Sequence, residues 1–593
     1  MNTNALEVYK KSVTSNFAFL KSASNIQEAY LRAIPIGSSG FLVPVCRAHE
    51  SDSELIQKLT AWRNTNVHVY PTQFVATIES TKAWLATRLL DVADRILFLV
   101  VDNIGKSVGH IGLSGCHNDD FLFEIDNVVR GDPAADKGLF SRSINTLIHW
   151  ARTTLPVEGF FLRVMDDNPH AIDFYKRNGF VENCRISLTM QKKTDFTSYT
   201  EARADQHVSK QFVRMGWQAN SDAVGRSLIL TAGPSISARE AVYSFDAARN
   251  GWNRNWSKYL TAFENQFAAY VGVDYAIATS SCTGALQIAL MALGVGPDDE
   301  VIVPDQTWVA TANAVRYVGA IPKFADVELD TWNIDVKSIE ALVTGRTKAI
   351  IPVHMYGHPA RMDAIAELAK KYHLNVIEDA APAIGAEWDG KRCGTFGDFA
   401  AFSFQGAKLL VTGEGGMLVT NDAKLYEKAR KIWDQGRNPS RAFWIDEEGV
   451  KFKMSNIQAA LGLAQLERVD ELIEMKRRVF SWYEEALDGV PFITLNKEVD
   501  GARSIYWMSS LFLDERAPMT RDQLINLLKA RNVDTRPVFP AISQYPIWQT
   551  QQRPQPTALR VGQQAMNLPS GVCLSKDEVS YVAEHIRQIL STS

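Results

Sequence analysis

The chain has 593 residues, 46% of them hydrophobic and 22% charged, an ordinary balance for packed protein that excludes global disorder. Lys and Arg number 63 against 67 Asp and Glu, a net charge of −4, so no overall basic field exists to hold nucleic acid or an anionic membrane surface. At ~150 residues per domain, this length predicts several units. The first thirty residues place Leu6, Tyr9, Val13, Phe17 and Leu20 at helical spacing, and residues 1–39 read as an N-terminal helical extension. From 40 to 192 strands and helices mix. RILFLVVD (95–102), VGHIGLSG (108–115), FEIDNVV (123–129) and FFLRVM (160–165) read as strands, and 139–155 and 170–180 as helices. Residues 193–235 are polar and irregular and read as a linker. From 236 to 593 short apolar strands alternate with long amphipathic helices, the rhythm of a mainly parallel sheet covered by helices. A smaller subdomain is expected at about 480–593.

Six cysteines, at 46, 116, 184, 282, 393 and 573, are too scattered for metal-ligand or redox-pair spacing. They predict reduced thiols, no metal site and a cytoplasmic protein. No secretory apolar segment opens the chain, and no run approaches ~18 apolar residues, so no membrane span is expected.

The sharpest constellation lies between 279 and 416. Lys408 follows the strand FAAFSF and precedes a Gly-rich turn. Asp379 ends the apolar strand NVIED, where a parallel sheet points side chains into its ligand crevice. Trp308 follows VIVPDQT at another strand end. SSCTGAL (280–286) puts small residues at a helix start, where backbone N–H groups can hold phosphate, and Ser403 adds a hydroxyl. A phosphate nest, an aromatic plate, a carboxylate and a lysine are what pyridoxal 5'-phosphate requires.

Residues 236–593 resemble the DegT/StrS family of pyridoxal-phosphate sugar aminotransferases, with the aspartate aminotransferase-like fold. The likeness rests on GWNRNWSKYLTAFENQFAAYVGVDYAIATSSCTGAL, EVIVPDQTWVATANAV, PVHMYGHPARMDAI, VIEDAAPAIGA, SFQGAKLLVTGEGG and KMSNIQAALGLAQL. It implies that Lys408 bonds the cofactor covalently, Asp379 pairs with its pyridine nitrogen and Trp308 stacks on its ring. It also implies that Cys282, Thr283 and Ser403 hold its phosphate. Family members receive a further phosphate contact from the partner subunit of a homodimer, in the segment occupied here by Lys451 and Lys453.

Residues 40–192 resemble the GNAT acetyltransferase superfamily, most clearly at DNPHAIDFYKRNGFVE (167–182), also at WRNTNVHVY and EIDNVVRGDPAADKGLFSRSINTLI. The resemblance implies an acetyl-CoA site using Lys137, Gly138, Phe140, Ser141, Asn168 and Tyr175, with Tyr175 protonating the leaving thiolate. Family members usually show Arg/Gln-x-x-Gly-x-Gly/Ala in this loop; here Ala135, Gly138 and Phe140 stand at those positions, and only the middle glycine matches. Glu124 and His110 are the candidates to take the acceptor amine's proton.

Together the halves imply an α/β two-domain fusion that aminates a keto sugar nucleotide, a 4-keto-6-deoxy sugar with L-glutamate as donor, and then N-acetylates the amine. The alternative is an aminotransferase carrying a GNAT-like domain that only binds or scaffolds.

Overall fold

The computed structural model describes residues 3–136, 138–203, 205–218, 227–548 and 553–591. The chain forms two compact units: Met1–Val224 with Ile236–Val242, and Gly225–Ser235 with Tyr243–Ser593. Among the described residues no helix is long and apolar enough to cross a membrane.

The first unit is a ten-stranded sheet. Its strands are β1 (Ile34–Pro35), β2 (Gly40–Pro44), β3 (Thr72–Gln73), β4 (Ile96–Asp102), β5 (Ser107–Ser114) and β6 (Leu122–Arg130). Then follow β7 (Gly159–Met165), β8 (Phe180–Lys192), β9 (Thr197–Glu201) and β10 (Lys210–Trp217). They lie in the order β1-β2-β4-β5-β6-β7-β10-β8-β9-β3.

Helices α1 (Thr3–Lys21), α2 (Ser53–Thr65), α3 (Leu139–Thr154) and α4 (Pro169–Arg177) belong to this unit. The N-terminal segment is not an appendage. Tyr9, Val13, Phe17 and Leu20 are buried with Phe98, Phe123 and Ile144 in one core. Each such side chain contributes roughly 1.5–3 kcal/mol of burial, which is why the periodic face folds inward rather than standing free. The expected linker is also partly sheet. β9 and β10 fall within 193–235, and β10 pairs with both β7 and β8. Its polar residues mislead because a strand wet on one face needs few apolar positions; Val213 and Met215 supply the buried ones. Residues 227–235 instead join the second unit, where Ile229 bridges Val533 and Thr231 hydrogen-bonds Asp534.

One irregularity shapes the first unit. β6 and β7 run parallel but pair only at Leu122–Gly159, Phe123–Phe160 and Glu124–Phe161. β6 continues to Arg130 and β7 to Met165, so the two strands part beyond Glu124. The β5–β6 ladder also slips between His110 and Gly112, and Asn127 adopts a left-handed φ of 50°.

The second unit is built on a seven-stranded sheet. Its strands are β11 (Tyr275–Thr279), β12 (Glu300–Pro304), β13 (Ile321–Ala325), β14 (Thr347–Ile350), β15 (Asn375–Asp379), β16 (Phe399–Ser403) and β17 (Gly416–Thr420). The order is β11-β17-β16-β15-β14-β12-β13, and β16, β15, β14, β12 and β13 are mutually parallel. Strands such as VIVP are buried along their whole length, as strands covered on both faces require. Helices α5 (Cys282–Ala292) and α6 (Ala310–Tyr317) start beside strand ends. The long α7 (Val469–Leu487) leads into a four-stranded sheet backed by α8 (Lys576–Ser591).

Candidate functional site

In the second unit, Asp379 sits at the last position of β15, locked by its neighbours on both sides: its N–H donates to Pro352 O at 2.8 Å, and Ala380 N–H to Ala401 O at 2.9 Å. The carboxylate is buried. Thr311 Oγ1 donates to Oδ2 at 2.7 Å, Ala381 N–H to Oδ1 at 3.1 Å, and the Cys282 thiol lies 4.0 Å from Oδ1. Burial raises the Asp379 carboxyl above the ordinary carboxylate range; the Thr311 and Ala381 hydrogen bonds and the charge of Lys408 pull against it.

Lys408 lies in the loop between β16 and β17, its N–H bonded to Gln405 O at 2.8 Å. Its ammonium stands 3.7 Å over the Trp507 ring, whose indole N–H donates to Ala407 O at 2.8 Å. Desolvation draws the Lys408 ammonium down to about 8, with Asp379 and then Cys282 opposing. A lysine so poised exchanges its proton near neutrality, as a nucleophilic amine must.

The phosphate corner assembles from three elements. Ser281 caps α5 by accepting from Gly284 N–H at 3.1 Å, which leaves the first-turn amides of Cys282 and Thr283 leading the helix. β16 delivers Ser403 opposite Gly416 of β17. A Cβ on Gly416 would fall 2.6 Å from Cys282 N, so only glycine permits this approach, and Ser403 therefore reaches the same corner. Lys453 is engaged within its own chain: its ammonium is paired with Asp434 and lies 4.2 Å over the Trp433 ring. Lys451 is exposed.

Trp308, 57% exposed, precedes α6 and tilts against Phe539 at 5.5 Å. Phe539 stacks on Tyr356 at 5.7 Å, and Tyr356 on Trp507 at 5.8 Å. The aromatic row thus runs from Trp308 to the ring beneath Lys408. Sequence reasoning missed Thr311, Tyr356, Trp507 and Phe539. Thr311 had a signal, three positions after Trp308 on the same turn. Trp507 is 99 positions from Lys408 and had none.

These residues fit pyridoxal phosphate. The buried Asp379 carboxylate, hydrogen-bonded among the described residues by uncharged groups alone, suits a protonated ring nitrogen, and the glycine-lined helix start suits a phosphate. When bound there, the cofactor supplies the electron sink for amino-group transfer.

The first unit meets its expectations less evenly. Tyr175 of α4 is half-buried against Phe174 and Phe180, and burial, then Asp126, then Tyr70 raise its phenol. Asn168 spends its side-chain oxygen capping α4 through Ala171 N–H at 3.2 Å. Lys137 lies outside the described residues.

Gly138 N–H, expected to face a phosphate, donates to Asp136 Oδ1 at 3.1 Å, and Asp136 is paired with Arg142. Phe140 turns its side chain inward. Its ring is buried in the core over Gly109, where a Cβ would come within 2.6 Å of it. Ser141 Oγ accepts from Asn178 at 3.3 Å.

Both expected amine bases are engaged by neighbours. Glu124 is held in a two-pronged pair with Arg163, at 2.8 and 2.9 Å. His110 is buried, bonded through Nδ1 to Asn127 O at 2.6 Å, and desolvation draws it down to about 4.

A further acidic group on the same strand is Asp126, two positions past Glu124. Its carboxylate lies 3.2 Å from Arg95 and is raised chiefly by burial. Tyr70 comes from a strap that crosses to β9, with the Arg63 guanidinium 3.4 Å over its ring. Asp126 and Tyr70 both act on the Tyr175 phenol of α4, which places the three groups near one another in the first unit.

The fold and site define a pyridoxal-phosphate transferase joined to an acyltransferase-like unit. Residues 234–587 match the DegT/DnrJ/EryC1/StrS aminotransferase family, and the chain belongs to it; residues 59–180 match the acetyltransferase (GNAT) family. The chain is 42% identical over 369 residues to a GDP-perosamine synthase of Caulobacter vibrioides, covering 61% of this chain and 98% of that protein. Among solved structures it is similar to the aminotransferase TlmJ of Streptoalloteichus hindustanus, 30% identical with a TM-score of 0.59, covering 62% of this chain and 100% of that one. It is also similar to DesI in the presence of its TDP-sugar product, 31% identical with a TM-score of 0.56, covering 62% and 92%.

Proposed function

We propose that this chain makes an N-acetylated amino sugar nucleotide in two steps. In the second unit an amino group passes from L-glutamate to a nucleotide-linked 4-keto-6-deoxy sugar, and in the first unit acetyl-CoA acylates the new amine. The observation that carries the first step is the buried Asp379 carboxylate set against Lys408, at a corner with the α5 start and Ser403. The names of the relatives, coupling this fold with GDP- and TDP-linked sugars, support a nucleotide sugar as substrate.

The residues divide the work. Lys408 Nζ, its proton affinity drawn down, takes a proton from the carbon bearing the transferred nitrogen and returns it to the carbon that receives it. Asp379 holds a positive charge at the ring nitrogen, and Trp308 shields one face from water. We assign Cys282, Thr283 and Ser403 to the phosphate. The enzyme acts in the cytoplasm as a homodimer through the second unit.

For the second step, the amine nitrogen attacks the thioester carbonyl, the carbon–sulfur bond breaks, and Tyr175 protonates the departing thiolate while Asp126 receives the proton lost by the amine. Acetyl-CoA then needs Asp136 to leave Gly138 N–H. That contact favours a second reading, in which the first unit binds the amino sugar nucleotide without acylating it.

The test incubates the full chain with pyridoxal phosphate, glutamate, acetyl-CoA and a panel of 4-keto sugar nucleotides, with products read by mass. An acetamido sugar supports the two-step reading. Free amino sugar alone supports the second reading. No amino product from any member of the panel defeats both.

A further inference from the structure

Asp379 carries the demand that a cofactor ring nitrogen places on this fold, and its orientation is not set by the strand alone. A buried carboxylate at a strand end can rotate about its side-chain bonds and, without donors, gains a proton. Two strong donors oppose this. Ala381 N–H holds Oδ1 from the loop that follows the strand, at 3.1 Å. Thr311 Oγ1 holds Oδ2 from a different element, α6, at 2.7 Å. That distance is the mode for an O–H···O hydrogen bond.

The threonine's choice is informative. In a helix, a Thr hydroxyl commonly turns back to a carbonyl of its own preceding turn. Here the hydroxyl, 1% exposed at the second position of α6, is directed across to another strand. A hydroxyl has one proton to give, and the carboxylate oxygen it meets must accept, so the bond favours the ionised acid. The same helical turn follows Trp308, so one short element carries both the aromatic plate and the donor that fixes Asp379. Lys408, His354, whose Nδ1 accepts from Ala360 N–H, and the Cys282 thiol, 4.0 Å from Oδ1, are the other titratable groups facing this carboxylate.

We propose that Thr311 is a positioning residue for pyridoxal phosphate: its hydroxyl holds the Asp379 carboxylate ionised and turned toward the ring nitrogen. The proposal rests on the reading of the second unit as a pyridoxal-phosphate site. It predicts that hydroxyl, not side-chain volume, is what position 311 needs. Thr311→Val keeps the shape and removes the donor; Thr311→Ser keeps the donor and removes the methyl; Thr311→Ala removes both without adding bulk.

The experiment measures the dissociation constant of pyridoxal phosphate from the full chain by tryptophan fluorescence and equilibrium dialysis, without substrate. Loss of a hydrogen bond to a charged group predicts affinity about 10- to 100-fold weaker in Thr311→Val and Thr311→Ala, with Thr311→Ser within about threefold of wild type. A second readout is the infrared carboxyl band of the apoprotein, assigned with Asp379→Asn. Its titration should move upward by about one pH unit or more in Thr311→Val, because the ionised form has lost its donor. Should Thr311→Val not fold, Thr311→Ala against Thr311→Ser decides the same question.

Binding by Thr311→Val and Thr311→Ala within about threefold of wild type overturns the proposal, as does a loss in Thr311→Ser equal to theirs. Wild-type protein that does not bind pyridoxal phosphate at all overturns the cofactor reading itself, a result distinguishable from either.

Discussion

The start of α5 and the start of α3 are the same physical device put to different use. In the second unit, Ser281 caps the helix from the side, so the amides of Cys282 and Thr283 point into a corner that Gly416 and Ser403 also reach. In the first unit, Asp136 accepts Gly138 N–H and is in turn balanced by Arg142. A helix start whose leading amides carry no carboxylate is a ready anion site; one whose N-cap N–H already holds a carboxylate must release it first. Membership in a fold family therefore settles the frame in both units, and whether a carboxylate already sits on the leading N–H decides how ready each frame is.

The comparison can be broken most severely at Lys408. In Lys408→Ala, amination should fall to background, while acetylation of a supplied 4-amino sugar nucleotide should continue at the wild-type rate. Loss of both activities in a folded variant would mean that the units do not work separately. Tyr175→Phe and Asp126→Asn should do the reverse, slowing acetyl transfer by ~10²–10⁴-fold while leaving amination intact, as expected for a lost proton donor or acceptor. Acetyl transfer unaffected by Tyr175→Phe would move the acid elsewhere.

A third expectation concerns pH. His110 is drawn from 6.5 to about 4 by burial, so between those values the unfolded chain binds a proton that the folded unit does not. Stability of the first unit therefore rises with pH across this window and is lost as pH falls toward 4, by roughly 3 kcal/mol in all. Urea melts of wild type and His110→Gln at pH 4.5 and 7 check it; an equal pH dependence in both would assign the loss to other groups. The smallest effect is at the cap: Asp136→Ala frees Gly138 N–H and removes a negative charge, and should tighten acetyl-CoA binding by up to about tenfold. Calorimetric titration reads this, and weaker binding would show that Asp136 supports the loop rather than obstructs it.

Much of the second unit was legible because its chemistry sits at the ends of contiguous apolar strands: Asp379 after NVIE and Ser403 after FAAF. Parallel topology turns those ends toward one crevice, so spacing along the chain translates into position. The Trp507 contact was not legible, because its partner Lys408 is distant in sequence and no local pattern marks the pairing. In the first unit the strands were legible but the roles of their acidic residues were not. Glu124 and Asp126 occupy one strand two positions apart, and their partners, Arg163 across the β6–β7 ladder and Arg95, come from distant parts of the chain. Residues 1–39 and 193–217 looked peripheral because their apolar positions are sparse; Phe17 and Met215 show how few such positions burial needs.

The division of the chain has a consequence for its synthesis. Residues Gly225–Ser235 belong to the second unit, whereas the later Ile236–Val242 belong to the first, where Arg239 donates to Ser15 at 3.0 Å and lies over the Phe19 ring. An emerging polypeptide that has released only residues up to 224 still lacks the piece that α1 packs against. The first unit should therefore mature on the ribosome only after residue 242 has cleared the exit tunnel, by which time synthesis of the second unit has begun. Limited proteolysis of nascent chains stalled before and after that point would reveal the order, with equal protection at both lengths arguing that Arg239 is dispensable.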